Sequence, residues 1–243
     1  MTNKEMRVCG LGWVLPFGVG AGVEILERRD WIEAPAVDNE KLAGFSAKPY
    51  ISSVKGYLDP AGACALAAAS LALDAWKPDR DAEVAERFGV SSATHLGSTQ
   101  SGYAFYQQFL QKGARFASPL LFPHSYPNTA GNLAAIEFGL GGPHMVFYGA
   151  PAIAHALAFA DMRLADGTAD DMLVVAYEAA VPATIPDHLT PLHGAIAIWL
   201  STAPAVIALA GLRPASLPVE DNGKGSVHAL LDTLTAPGNT IVK

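Results

Sequence analysis

Two patterns of apolar residues alternate along the chain and predict a layered α/β protein. Short, mostly apolar runs typical of buried strands are followed by segments in which apolar residues recur at helical spacing. The predicted strands are Met6–Trp13, Arg87–Leu96, His144–Gly149, Asp171–Tyr177, Ala195–Leu200 and Ala205–Ala210. The predicted helices are Val23–Arg29, Asp59–Trp76, Tyr103–Gln111, Asn128–Phe138, a helix opened by Pro151, and Ser226–Leu234. This order indicates an α/β fold with a mixed sheet, whose last two strands form a hairpin.

The periodicity is clearest in two of the helices. One begins at Asp59-Pro60, where Asp can cap the helix and Pro suits its first turn, and the other follows Pro151. Their buried faces are formed by Cys64, Ala68, Leu71 and Ala75 in the first and by Ile153, Leu157, Ala160 and Leu164 in the second. The glycine-rich segment 18–22 instead predicts a turn that leads into the short helix after it.

Two uncharged stretches are similar to membrane-directed segments. The first, 8–23, follows basic residues as a signal peptide does, but Pro16, several glycines and the lack of a small-residue cleavage site predict a strand and a turn. The second, 194–212, has the length of a membrane span, but polar residues and Pro204 interrupt its middle, so two strands fit better. We therefore expect no membrane span. The presence of only two cysteines, without a C-x-x-C spacing, separately leads us to expect a cytoplasmic protein.

Composition narrows the class of protein further. The 243 residues are 51% apolar and 16% charged, so the chain can bury enough apolar surface to fold. Its length fits one large domain, and we expect a single domain over 1–243. The net charge of −7 argues against binding to nucleic acid or an anionic membrane, since both require clustered positive charge. Cys9 and Cys64 lie in apolar surroundings without a C-x-x-C spacing, which predicts buried free thiols.

Common catalytic and nucleotide-binding motifs are missing. The sequence contains no P-loop, no G-x-G-x-x-G fingerprint and no G-x-S-x-G nucleophile elbow. The seven histidines show neither H-x-H nor H-x-x-x-H spacing, so no metal site is expected.

The most informative position is the turn at Gly149-Ala150-Pro151, between a predicted strand and a predicted helix. At such a turn the backbone N–H groups and the helix dipole stabilise an anion, which makes it a favourable place for a nucleophile. Proline supplies neither a nucleophile nor an N–H group. Taken alone, Pro151 is better explained as a proline that simply begins a helix.

The context of this turn resembles the β-ketoacyl-ACP synthases. The segment Ser118–Gly131 matches the Ser-Pro, Pro, Asn and Gly pattern of that family, and the same register continues through Gly139–Pro143 to Pro151, where a ketosynthase has its nucleophilic cysteine. Further matches are Arg7–Gly12, Asp59–Trp76, Gly167–Met172, Glu178 and Gly194–Ala197. The resemblance implies a thiolase-like fold, here as a single αβα half with a mixed five-stranded sheet flanked by helices.

Two departures from the family limit what is carried over. Proline replaces the nucleophile, and the matches end before the second half of a ketosynthase, which supplies its catalytic histidines. We therefore assign no catalytic residue, and the chain is similar to a half-length ketosynthase without a nucleophile. Because the two halves of a ketosynthase pack together, a half-length chain is expected to leave an apolar layer that needs cover.

Ketosynthase relatives without a nucleophile are known as chain-length factors. The chain resembles the small chain-length-factor-like subunit of bacterial aryl polyene pathways, which implies a full-length β-ketoacyl-ACP synthase as partner in a heterodimer or heterotetramer. The resemblance places four tunnel or gate residues at the partner interface: Leu121, Phe122, His124 and Tyr126. It also implies a dimer-interface strand formed by His144, Met145, Val146, Phe147 and Tyr148. An ordinary core, interface or structural role is equally open for the four tunnel or gate residues, Leu121, Phe122, His124 and Tyr126.

The resemblance implies no cofactor of the chain's own. The phosphopantetheine arm of an acyl carrier protein would enter through the partner. Two other interpretations remain open: an acyl-thioester enzyme with Ser98, Ser125 or His155 as a substitute catalytic group, and a carrier-protein docking scaffold without a role in the tunnel.

Overall fold

A single mixed sheet organises the protein. The computed structural model describes residues 6–28, 31, 42, 44–53, 56–74, 82–203, 208–213 and 222–241. Within these ranges the strands are β1 (Met6–Leu15), β2 (Gly18–Ala21), β3 (Phe88–Thr94), β4 (His144–Tyr148), β5 (Asp171–Glu178), β6 (Gly194–Ser201), β7 (Ala210–Leu212) and β8 (Thr240–Ile241). The helices are α1 (Glu24–Arg28), α2 (Pro60–Ala72), α3 (Ala82–Glu86), α4 (Thr99–Lys112), α5 (Thr129–Phe138), α6 (Ala152–Ala165) and α7 (Gly225–Thr235).

The strand order is β4-β3-β5-β6-β1-β7-β8, with β2 attached to β1. β3 runs parallel to both β4 and β5, and the remaining pairs are antiparallel. The predicted α/β class with a mixed sheet flanked by helices is therefore confirmed. The predicted number of five strands was too low, because the sheet has eight strands within the described part of the chain.

Two apolar layers cover the two faces of the sheet. On one face, the alanines of α2 and α5 pack against β1, β3, β5 and β6. α2 lies close to β1 because Gly10 and Gly12 have no side chain: a Cβ at Gly10 would lie 1.8 Å from the carbonyl oxygen of Ala72, and one at Gly12 would lie 2.2 Å from that of Ala68. On the other face, α1, α6 and α7 enclose the second layer.

The tail helix contributes to the core of the protein. α7 buries Val227, Leu230, Leu231 and Leu234 in the same cluster as Ile153 and Leu157 of α6. The face of the sheet that carries α6 is therefore covered from within the chain. Large exposed apolar side chains lie elsewhere, on α4, β4 and the segment between α4 and α5.

Several boundaries differ from prediction. The glycine-rich segment 18–22 forms β2 rather than only a turn, because Gly18 and Gly20 leave room for the Trp13 ring: a Cβ at Gly20 would lie 2.5 Å from it. α4 begins at Thr99 instead of Tyr103. α2 ends at Ala72, and Ala75 and Trp76 lie outside the described residues.

The predicted hairpin of the last two strands is also wrong. β1 lies between β6 and β7, since Arg7 pairs with Ser201 on one side and with Gly211 on the other. The predicted second strand, 205–210, falls partly outside the described residues, and the strand that is described runs over Ala210–Leu212.

Candidate functional site

The turn at Pro151 has the predicted strand–turn–helix form. β4 ends at Tyr148, Gly149 adopts a φ of +101°, and α6 begins at Ala152. The N–H of Gly149 donates to the carbonyl oxygen of Thr94 at 3.0 Å, which ties the turn to the end of β3. Pro151 stands at the cap of α6 with no side-chain hydrogen bond to the helix. The first turn of α6 therefore lacks a nucleophilic side chain and one backbone donor at this position.

A buried carboxylate lies at the end of β5, beside the end of β3. Glu178 is fully buried and accepts hydrogen bonds from Thr94 Oγ1 at 3.1 Å, from Leu96 N at 3.1 Å, from Ser226 N at 3.0 Å and from His95 N. Burial raises the pKa of Glu178 above its usual value, although the four donors favour the ionised form. Glu178 thus joins the turn after β3 to the N-terminus of α7.

In the sequence, Glu178 stands out only as one of the positions that match the ketosynthase pattern. The available signal was a lone carboxylate at the end of an otherwise apolar strand, which demands several donors if it is buried. Gly225, with a φ of +81°, allows the close approach of α7, because a Cβ there would lie 3.0 Å from Cγ of Glu178.

The predicted gate residues lie together in the segment Ser118–Pro127. Phe122 and Tyr126 are 45% and 46% exposed, and their rings meet edge to face with centroids 5.1 Å apart. Phe122 also contacts Phe105 of α4, at 5.4 Å between centroids. The segment is fixed to α5, because Thr129 Oγ1 donates to the carbonyl oxygen of Pro123 at 2.6 Å.

The other two predicted gate residues are less exposed. Leu121 and His124 are half-buried, and Nδ1 of His124 is buried without a hydrogen-bond partner within the described structure. Burial lowers the pKa of His124, so its ring is uncharged at neutral pH. Pro127, at the end of the segment, accepts a hydrogen bond at its carbonyl oxygen from the Tyr177 hydroxyl.

The predicted interface strand is the edge of the sheet. In the described part of the chain β4 pairs only with β3, so its outer backbone groups face away from the sheet. Met145 and Tyr148 are 43% and 62% exposed, whereas His144, Val146 and Phe147 are half-buried. Burial lowers the pKa of His144, so this edge of the sheet carries no positive charge from it at neutral pH.

The gate segment and β4 meet at one cleft. It has a volume of about 350 Å³. Its walls include Ser98, Tyr103, Tyr106, Ser125, Pro127 and Tyr148. The structure therefore brings together the two predicted regions, although their roles stay predictions.

The three candidate substitute groups do not form a catalytic arrangement. Ser98 is buried and its hydroxyl has no partner within the described structure, while Ser125 Oγ donates to the carbonyl oxygen of Phe122 at 2.7 Å. His155 is exposed, and its ring lies 5.8 Å from that of Phe147. Among the described residues, neither serine hydroxyl is hydrogen-bonded to a histidine, an arrangement typical of a serine activated by a general base.

Metal-binding groups, membrane-spanning helices and reactive cysteines were also sought in the described part of the chain. No group of three or more His, Cys, Asp or Glu side chains there could hold a metal ion, and no helix there is long and apolar enough to cross a membrane. Cys9 and Cys64 are buried free thiols, and burial raises their pKa values to about 11 and about 12, so both stay protonated at neutral pH.

Comparison with known proteins places this arrangement in a family. The model of the β-ketoacyl synthase N-terminal domain matches residues 48–191. The chloroplastic 3-oxoacyl-[acyl-carrier-protein] synthase I of Arabidopsis thaliana is 26% identical in an alignment of 201 residues, which covers 74% of this chain and 41% of the plant protein. The chain thus spans less than half the length of this relative.

Solved structures share the fold. A type II polyketide synthase acyl-carrier protein in complex with its ketosynthase bound to the hexaketide gives a TM-score of 0.68 at 17% identity, over 86% of this chain and 67% of that one. The ishigamide ketosynthase/chain length factor gives 0.67 at 20% identity, over 86% and 65%. A β-ketoacyl synthase from Burkholderia phymatum STM815 gives 0.61 at 17% identity, over 86% and 63%.

These likenesses confirm the predicted thiolase-like fold. The family match covers more than half of the 243 residues and includes both the gate segment and the turn at Pro151. The chain therefore belongs to the β-ketoacyl synthase family, and the part that matches is the N-terminal domain of that family.

Proposed function

We propose that the chain is a non-catalytic, chain-length-factor-like subunit that pairs with an active β-ketoacyl-ACP synthase and shapes its acyl or polyene tunnel. The observation that carries this proposal is Pro151 at the head of α6. The resemblance to the ketosynthases aligns this position with their nucleophile. A thioester with the growing chain needs a side-chain nucleophile, and proline has none. The condensation would then take place on the partner.

The proposed partner surface combines the free edge of β4 with exposed apolar side chains. An open strand edge is a template for pairing with another chain, and a large exposed apolar patch marks an interaction site. The side chains that extend the patch beyond β4 are Tyr103, Tyr106, Phe109, Leu110, Phe116, Leu120, Phe122 and Tyr126. Aromatic residues are enriched in such interfaces, which supports a stable protein partner.

The tunnel role is proposed for the gate segment. Phe122 and Tyr126 already pack against each other at the surface, so they form a firm apolar plug rather than two independent side chains. Together with Leu121 and His124 of the same segment, they would cap a tunnel that continues from the partner. An acyl chain that pushed against such a plug would meet an overpacking cost of about 1–3 kcal/mol. The plug would thereby set a limit on chain length.

Partners and location follow from the same proposal. The acyl carrier protein would dock on the synthase and deliver its phosphopantetheine arm there, so this chain needs no cofactor of its own. Two of the solved structures that share the fold are a carrier–ketosynthase complex and a ketosynthase/chain length factor, which supports these partners. Two buried free thiols fit a reducing, cytoplasmic location. The likeness to the aryl polyene subunit makes that pathway the proposed setting, with 1–243 acting as one domain.

The test is co-expression with a full-length β-ketoacyl-ACP synthase from the same organism, followed by light scattering on a sizing column. We expect a one-to-one assembly. Met145→Lys, on the edge of β4, should abolish it, because the charge would be buried in the interface without a partner. Met162→Lys, on α6 with a similar exposed fraction of 48% in the wild type against 43% for Met145, should leave it unchanged.

Two outcomes would overturn the proposal. One is a chain that stays a monomer or homodimer in the presence of the synthase. The other is turnover of an acyl thioester by the chain alone, which would show that a group other than residue 151 is catalytic.

A further inference from the structure

A second cavity lies away from the turn at Pro151 and from β4. Its volume is about 340 Å³, within the range of roughly 300–1,000 Å³ typical of small-molecule sites. The walls come from the N-terminal turn of α2 and from the loop between β5 and β6. They include Leu42, Cys64, Ala179, Val181, Pro182 and His193. Neither Pro151, nor β4, nor the gate segment contributes to them.

The wall is apolar except for the ring of His193 and for Gln100 at the rim. His193 is only 2% exposed, and its Nε2 has no hydrogen-bond partner within the described structure. Burial lowers the pKa of His193 to about 4, so the imidazole is neutral at pH 7. A buried ring nitrogen without a partner is unfavourable, and it becomes favourable when a ligand supplies the missing partner.

We propose that this cavity binds an uncharged, mainly apolar small molecule that carries one hydroxyl or carbonyl group, with Nε2 of His193 as its hydrogen-bond partner. A neutral imidazole nitrogen donates or accepts according to its tautomer, so either group satisfies it. A charged ligand is disfavoured, because the apolar wall would remove its hydration without supplying a countercharge. Cys64 contributes only uncharged surface to the cavity wall, since its thiol stays protonated with a pKa of about 12.

A neighbouring cavity supplies a route to the site. It has a volume of about 700 Å³ and shares Leu42, Pro60 and Gln100 with the smaller one. Gln100 is exposed where the two meet. A ligand would enter through the larger cavity and place its apolar body between α2 and the loop after β5. This proposal is independent of the subunit function, because none of its residues lies on the proposed partner surface.

The test is an NMR titration of the intact chain with octan-1-ol, using ¹³C-methyl-labelled leucine and valine and ¹⁵N-labelled histidine. We expect saturable shifts of the Leu42 and Val181 methyl signals and of the His193 ring. His193→Phe keeps the ring volume but removes the nitrogen, and it should weaken binding about tenfold. His188→Phe, exposed and outside the cavity wall, should bind as the wild type does.

Further measurements keep the proposal testable if His193→Phe does not fold. His193→Gln retains a donor and an acceptor and should still bind octan-1-ol. Octanoate, charged at pH 7, should bind the wild type about tenfold more weakly than the alcohol. The proposal is wrong if no saturable shift occurs up to the solubility limit of octan-1-ol, if the shifts map elsewhere, or if His193→Phe binds as tightly as the wild type.

Discussion

Replacing Glu178 by alanine tests whether this one buried carboxylate holds α7 on the sheet. The change removes the acceptor of three backbone N–H groups, those of His95, Leu96 and Ser226, and of the Thr94 hydroxyl. Each buried donor left without an acceptor costs about 1–3 kcal/mol. Relief from burying the carboxylate offsets part of this, so we expect a net loss of about 3–5 kcal/mol. That is a large fraction of the ~5–15 kcal/mol typical of a whole domain.

The assay is urea unfolding followed by tryptophan fluorescence, with amide hydrogen exchange to locate the effect. Exchange should accelerate at Leu96 and Ser226, which lie on the two elements that Glu178 joins. The matched control is Glu137→Ala. Glu137 also accepts hydrogen bonds from backbone and hydroxyl groups, those of Ser52 and Ser53, but at a site that water reaches, so its loss should cost less than about 1 kcal/mol. Equal losses for the two variants would refute the reasoning.

Glu178→Gln separates hydrogen bonding from charge. Glutamine keeps one oxygen and places an NH₂ donor against donors, so we expect a smaller loss, about 1–3 kcal/mol. Because burial raises the folded-state pKa of Glu178, the wild type should lose stability as the pH rises above the unfolded value of about 4.3, and Glu178→Gln should not. The advantage of the wild type should therefore be largest below that pH. If the stability advantage of the wild type over Glu178→Gln instead grew with pH, the four hydrogen-bond donors would lower the pKa of Glu178 by more than burial raises it.

Three further changes address other parts of the molecule. The fall in the pKa of His193 from 6.5 to about 4 predicts that the wild type loses up to about 3 kcal/mol as the pH drops through this range, and that His193→Gln does not, as measured by urea unfolding at each pH. Leu230→Ala should cost about 2–5 kcal/mol in unfolding experiments, against less than about 0.5 for the exposed Leu110→Ala. In the proposed complex with a ketosynthase, Phe122→Ala should lengthen the products seen by mass spectrometry, whereas the exposed Ile136→Ala should not.

The long apolar strands and the helices with a clear buried face could be predicted from the sequence. β2 could not, because glycines predict a turn unless it is known that the Trp13 ring needs the space above them. The hairpin of β6 and β7 was wrong for a different reason. Strands close in sequence usually pair, but here β1, the first strand of the chain, lies between them.

Some residues of the candidate site could also be predicted from the sequence, and others could not. Pro151 and the gate segment could be located from motifs of consecutive residues. The donors to Glu178 could not, since they lie 82–84 residues before it and 48 residues after it. The cavity beside His193 also depends on residues far apart in sequence, between Leu42 and His193. Patterns of neighbouring residues in the sequence carry no information about contacts between residues this far apart.

The central place of β1 has a consequence for biosynthesis. The residues of β1 pair with residues of β6 that are made 181 to 194 positions later. At ~5–20 residues per second, the ribosome needs about 10–40 s to supply them. During that time β1 has only the short β2 as a strand partner within the described structure, so the edge of β1 that later pairs with β6 stays open on the nascent chain. Chaperone binding to this first strand should therefore be a regular step in the synthesis of the protein.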